Sequence, residues 1–139
     1  MNQEEVLQVQ SMEQEVNRLN EQLQLVEQNI AELTSLGESL GELEGGSKEV
    51  LANIGKKIFI PVTITDDTLL VDIGKDIMVK KTIPQTKTIV TTQIEGLHEV
   101  KGHIAQRLGE IEKEMHRLIM KIQKEHSHLH HDHDHDHHH

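Results

Sequence analysis

Apolar residues recur at alternating steps of three and four along two stretches of this chain, Val9 to Leu40 and Val90 to Ile122. In the first stretch Val9, Val16, Leu23 and Ile30 form one seven-residue series, and Met12, Leu19, Val26, Leu33 and Leu40 form the other. Glu, Gln and Asn fill the positions between them. The stripe is therefore the narrow seam of a coiled coil, not the wider face of a bundle helix. The second stretch repeats the pattern with Val90, Leu97, Ile104, Ile111 and Leu118 in one series and Ile94, Leu108, Met115 and Ile122 in the other. Lys101 is its polar member. A lysine stem can lie along a seam while the ammonium reaches water, and a polar seam position fixes register.

Two helices follow, over residues 1–44 and 86–125. Gly45, Gly46 and Ser47 end the first. Each arm holds nearly forty residues, roughly 55 Å at 1.5 Å per residue, and equal arms can fold back on each other antiparallel. Residues 1–44 carry ten acidic side chains against one basic, Arg18, whereas residues 88–125 carry six of each. An antiparallel alignment brings Lys113, Arg117, Lys121 and Lys124 toward the acidic start of the chain. Exposed pairs of this kind select alignment more than they add stability.

Between the arms the period changes to that of a sheet. Val50 to Ile54, Lys57 to Ile64, Thr68 to Ile73 and Ile77 to Ile83 are rich in Ile, Val and Thr, with breaks at Gly55, at Thr65-Asp66-Asp67 and at Gly74-Lys75-Asp76. Four short strands in two hairpins fit this pattern. Pro61 cannot donate to a ladder, which places it at an edge or a bulge, and Pro84 closes the last strand before Thr86 or Thr88 caps the second helix. Two hairpins alone leave open edges and bury little area, so the sheet calls for strands from other subunits.

Composition narrows the functions open to such a chain. A single aromatic residue, Phe59, and 35% hydrophobic residues cannot fill a large globular core. The absence of cysteine removes disulfides, thiolate nucleophiles and Cys zinc sites and suits a reducing cytosol. The start is polar and acidic, unlike a signal peptide, and no apolar run approaches the roughly 20 residues of a membrane span. The net charge of −10 comes without a Lys/Arg stripe and interleaved aromatics, which argues against nucleic acid as a partner. No phosphate loop, two-His helix motif or nucleophile beside a base is present. Two helices and a small sheet offer no concave site with convergent polar groups, so the expectation is a non-enzyme without a cofactor.

The central segment resembles prefoldin, the ATP-independent holding chaperone, and its alpha class in particular. The residues that carry the resemblance are Val50-Leu51-Ala52-Asn53-Ile54-Gly55, Ile58-Phe59-Ile60, Thr68-Leu69-Leu70-Val71-Asp72-Ile73-Gly74 and Ile77-Met78-Val79-Lys80-Lys81-Thr82. The likeness of layout extends over residues 1–125, with the hairpin region at 48–83. It implies an α+β fold, a long antiparallel coiled-coil hairpin whose two central β-hairpins join a β-barrel on oligomerisation. It further implies a cytoplasmic hexamer of two alpha and four beta subunits that holds unfolded or nascent proteins between coil tips and passes them to a group II chaperonin. Assembly would then fall to Ile58, Ile60, Val62, Leu70, Ile73, Gly74 and Val79.

At the tip of such a coil Val6, Leu7, Val9 and Met12 meet Leu118, Ile119, Met120 and Ile122. Val9, Met12, Leu118 and Ile122 also fit the heptads and serve equally as seam. Leu7, Ile119 and Met120 lie off it and favour client contact, where the unbranched Met side chain adapts to irregular apolar shapes. A coiled-coil adaptor without client-holding activity is the alternative reading; it buries the tip in one defined partner.

Residues 126–139 hold nine of the twelve histidines, interrupted by Asp132, Asp134 and Asp136. Three readings stand for this segment: a disordered solubilising extension, a metal-handling or pH-responsive tail with weak ligands at His130, His131, His133 and His135, or an engineered appendage. No fixed spacing in the sequence defines one closed metal site. His98, His103 and His116 lie off the seam and read as solvated.

Overall fold

The computed structural model describes residues 2–44 and 49–137, with side chains as far as His126. The elements run α1 (Gln3–Glu44), β1 (Glu49–Gly55), β2 (Ile58–Thr63), β3 (Thr68–Asp72), β4 (Met78–Thr82) and α2 (Ile83–His137). The chain is an α+β protein, an antiparallel coiled-coil hairpin carrying two β-hairpins. The expected break at Gly45-Gly46-Ser47 lies outside the described residues.

Both helices begin with the same device. Asn2 Oδ1 accepts a bond from the Glu5 backbone N–H at 2.8 Å, and Glu5 Oε2 accepts one from the Asn2 N–H at 3.3 Å. At α2 Thr82 Oγ1 accepts from the Gln85 N–H at 3.2 Å while Gln85 Oε1 accepts from the Thr82 N–H at 3.0 Å. Each box satisfies two backbone donors that a helix start would otherwise leave unpaired. The cap of α2 is thus Thr82, earlier than the sequence reading placed it. Thr86 and Thr88 instead donate their hydroxyls to the carbonyls of Thr82 and Pro84, at 2.9 and 3.1 Å, from inside the helix. Pro84 fits the first turn, where its missing N–H costs nothing. At the far end α2 runs on to His137.

The chain divides into two compact units, residues 1–26 with 100–139, and residues 27–99. In the first, the seam buries Leu19, Val26, Ile104 and Ile111, and Ile111 is wholly enclosed. In the second, Leu40, Ile83 and Val90 form a buried cluster against which Leu33, Leu43, Leu69 and Ile94 pack. Leu69 belongs to β3, so one strand is anchored on the helices. Gly37 occupies the seam position between Ile30 and the end of α1, and a Cβ there would sit 3.8 Å from a Val90 methyl. Lys101 is half-buried, as its seam position requires.

The hairpins pair β1 with β2 and β3 with β4, each a two-stranded antiparallel sheet. Every strand is therefore an edge, which accommodates Pro61 opposite Leu51, and the register shift falls between Asn53 and Gly55. Both turns are built alike. Lys56 and Lys57 have φ of 47° and 63°, Lys75 and Asp76 of 52° and 62°, the left-handed pair of a type I′ turn. Gly55 and Gly74 precede them at φ of 132° and 113°, outside the range of other residues. The Asn53 and Asp72 side chains each accept from the following glycine N–H at 2.8 Å. An unbroken correspondence underlies this, Asn53-Ile54-Gly55-Lys56-Lys57-Ile58 against Asp72-Ile73-Gly74-Lys75-Asp76-Ile77.

Candidate functional site

Two surfaces concentrate exposed apolar side chains, and each lies within one unit. The first is at the coil end. There Leu7 is 59%, Ile119 47% and Met120 53% exposed, while Val6, Val9, Met12, Leu118 and Ile122 are half-buried. The split follows the heptads: residues on the seam cover one another, and those off it face solvent.

The level of the helices at this end is marked by a bidentate ion pair. Arg107 donates from Nε to Glu15 Oε2 at 3.0 Å and from Nη2 to Oε1 at 2.8 Å, and from Nη1 to Glu110 at 3.3 Å. Glu114 adds a longer contact at 3.8 Å. The bond from Arg107 holds the Glu15 carboxyl below the ordinary carboxylate range, and the same bonds push the guanidinium upward. At about 1.5 Å per residue, Leu7 lies roughly 12 Å outward from Glu15 along α1, and Ile119 roughly 18 Å outward from Arg107 along α2. Val6 and Leu7 thus come closest in level to Leu118 and Ile119, whereas Val9 and Met12 sit further in.

Met120 belongs to a shallow hollow lined by His116, Arg117, Lys121, Gln123 and Lys124. A single helix supplies all of these, so the hollow cannot surround a substrate; it offers an apolar contact ringed by positive charge. Among the residues with described side chains, no group of three or more His, Cys, Asp or Glu could hold a metal ion. His130, His131, His133 and His135 lie outside the described side chains. Among the described residues no helix is long and apolar enough to cross a membrane.

The second surface is on the hairpins. Ile58, Ile60, Val62, Leu70 and Ile73 are exposed, Val79 is half-buried, and Gly74 is in the turn. Pairing of Ala52 with Ile60 and Val50 with Val62 places these four on one face of the first hairpin. In the second, Leu70 faces Lys80 and Val71 faces Val79. Leu70 and Val79 therefore project from opposite faces and cannot share one contact. Leu51, Ile54, Phe59, Ile77 and Met78 are also exposed and were not among the residues singled out. The repeat could have found them, because Leu51 and Leu70, Ile54 and Ile73, Ile58 and Ile77, and Phe59 and Met78 occupy matching places in it. Before β3, Asp66 Oδ1 accepts from the Thr68 N–H at 3.1 Å, which lowers the Asp66 pKa.

The described residues thus comprise a coil hairpin with apolar residues bare at its end and two open β-hairpins with bare apolar faces. The family model of prefoldin subunits matches residues 7–128, and the chain belongs to that family, whose members are chaperones. The chain is similar in structure to a filamentous prefoldin from Methanocaldococcus jannaschii solved by cryo-electron microscopy. The TM-score is 0.71 at 17% identity, over 81% of this chain and 96% of that one. No curated protein matches the sequence.

Proposed function

We propose that this chain is an alpha-class prefoldin subunit of the cytoplasm, which holds unfolded or nascent proteins at its coil end without ATP and releases them to a group II chaperonin. The observation that carries the reading is the exposure of Leu7, Ile119 and Met120 together at one end of their unit and off its seam, whereas the other exposed large apolar side chains described in that unit, Leu25 and Val100, lie away from that end. Apolar side chains presented singly on a charged helical surface bind extended apolar segments without requiring a defined shape. The basic ring around Met120 adds attraction for acidic stretches of a client.

Four central strands, in place of the two of the beta class, favour the alpha assignment. The bare faces of both hairpins support assembly with beta-class subunits, two alpha to four beta, their strands closing into barrels that remove the open edges. The likeness to a filamentous prefoldin favours a second reading of the same strands, pairing with further copies of this chain.

Site-specific photo-crosslinking tests the proposal. A crosslinker at Leu7 or Ile119 of the assembled complex should capture several chemically denatured proteins, and one at Gln28 should capture none. Capture of one native partner, and of no denatured protein, would turn the reading to a coiled-coil adaptor.

A further inference from the structure

The three exposed apolar side chains at the coil end differ in what surrounds them. On a helix the surface neighbours of a residue lie three and four positions away on either side. For Leu7 these are Gln3, Glu4, Gln10 and Ser11, and for Ile119 they are Met115, His116, Ile122 and Gln123, so neither set holds a lysine or an arginine. For Met120 they are His116, Arg117, Gln123 and Lys124, which with Lys121 line the hollow on α2. No Asp or Glu occurs from Met115 to Lys124, in a chain whose net charge is −10.

The cations of this hollow are not neutralised from within. Arg117, Lys121 and Lys124 are exposed, and among the described residues none of them is in an ion pair. Two acids of this end are engaged elsewhere. Glu114 turns to Arg107 at 3.8 Å, and Glu5, which continues the seam series of Met12 and Leu19, is buried with its carboxylate accepting from the Asn2 N–H.

We propose that the face around Met120 gives the coil end a preference among clients, for unfolded segments in which a bulky apolar residue is flanked by Asp or Glu. The inference rests on the chaperone reading of this end and names the class of segment held there. The Met120 thioether takes the apolar side chain, while Arg117 and Lys124, one turn to either side of it, meet the flanking carboxylates. Because these charges face solvent, they add selectivity and speed of encounter more than affinity. A membrane surface is a poorer match, since an interfacial helix lays down a continuous apolar face and here one methionine stands among polar neighbours. The negative charge of the whole chain opposes acidic segments, so a preference for them can only be local.

Fluorescence anisotropy of the full-length chain with two labelled unfolded peptides tests this, one carrying leucines among aspartates and the other the same leucines among lysines. Arg117→Gln, Lys121→Gln and Lys124→Gln together should weaken binding of the aspartate peptide at least about fivefold without weakening that of the lysine peptide. Met120→Ser should also weaken the aspartate peptide, and added salt should erode the difference between parent and triple variant. A loss common to both peptides in the triple variant, or aspartate-peptide binding unchanged in either variant, would overturn the proposal while leaving the holding reading in place. Binding of neither peptide by the parent would overturn both, and parent binding to phosphatidylserine vesicles but not to the aspartate peptide would assign the face to a membrane instead.

Discussion

Arg107 grips Glu15 with two parallel bonds of 2.8 and 3.0 Å across 92 residues of sequence, and this fork fixes the alignment of the helices beside the buried Leu19, Ile104 and Ile111. Bidentate geometry makes such a pair directional in a way that a lysine could not reproduce. The Glu15 carboxyl is held below its ordinary value of 4.5. A depressed carboxylate contributes stability that is present above the unfolded-state value and is lost as pH falls through the folded one. Thermal melts followed by circular dichroism should therefore show Glu15→Gln melting below the parent at neutral pH. The gap should close as pH falls below about 4.5 and shrink in high salt.

Gly37→Ala should stabilise the protein. A helix-interior glycine costs about 0.5–1 kcal/mol relative to alanine, and the new methyl would meet Val90 at 3.8 Å, an ordinary contact. A rise in melting temperature checks this, whereas Ile111→Ala, at the wholly enclosed seam position, should lose about 2–5 kcal/mol.

The helix start distinguishes two threonines. Thr82→Ala removes one half of the capping box and should cost about 0.5–2 kcal/mol by denaturant unfolding. Thr88→Ala, whose hydroxyl only bonds back to the Pro84 carbonyl, should stay within about 0.5 kcal/mol of the parent.

The lysine turn offers a gain. Lys56 and Lys57 hold left-handed conformations at roughly 1–2 kcal/mol per residue. The double change Lys56→Asn, Lys57→Gly supplies the residues a type I′ turn favours and should strengthen the hairpin. Gly74→Val should weaken its counterpart through φ alone, since open space surrounds the position. Amide hydrogen exchange across Val50–Val62 and Leu69–Lys81 reads both effects.

The coil was legible because hydrophobic period depends on side chains that the helix itself sets in line. Leu19, Val26, Leu40, Val90, Ile104 and Ile111 all follow the heptads and all are buried. The same pattern left Leu7, Ile119 and Met120 outside the seam, where the structure exposes them. Gly37 was missed as a seam member because a residue without a side chain carries no hydropathy signal. The start of α2 was placed late because Pro84 reads as a breaker, although Thr82-Ile83-Pro84-Gln85 is a capping-box spacing with proline in the tolerated first turn. Separation of Leu70 from Val79 followed from cross-strand register, which strand composition does not specify. Breaks at Gly55 and at Gly74-Lys75-Asp76 stand out from residue type alone, whereas the likeness of the two turns shows only in the internal repeat.

Light scattering of a chemically denatured protein, diluted without ATP into this chain assembled with a beta-class prefoldin, tests the central claim most directly. The account predicts suppression of aggregation by the full chain and by one ending at Glu125, and loss of suppression in Leu7→Ser, Ile119→Ser, Met120→Ser at unchanged melting temperature. Undiminished suppression by that triple variant, or none by the intact complex, would contradict it.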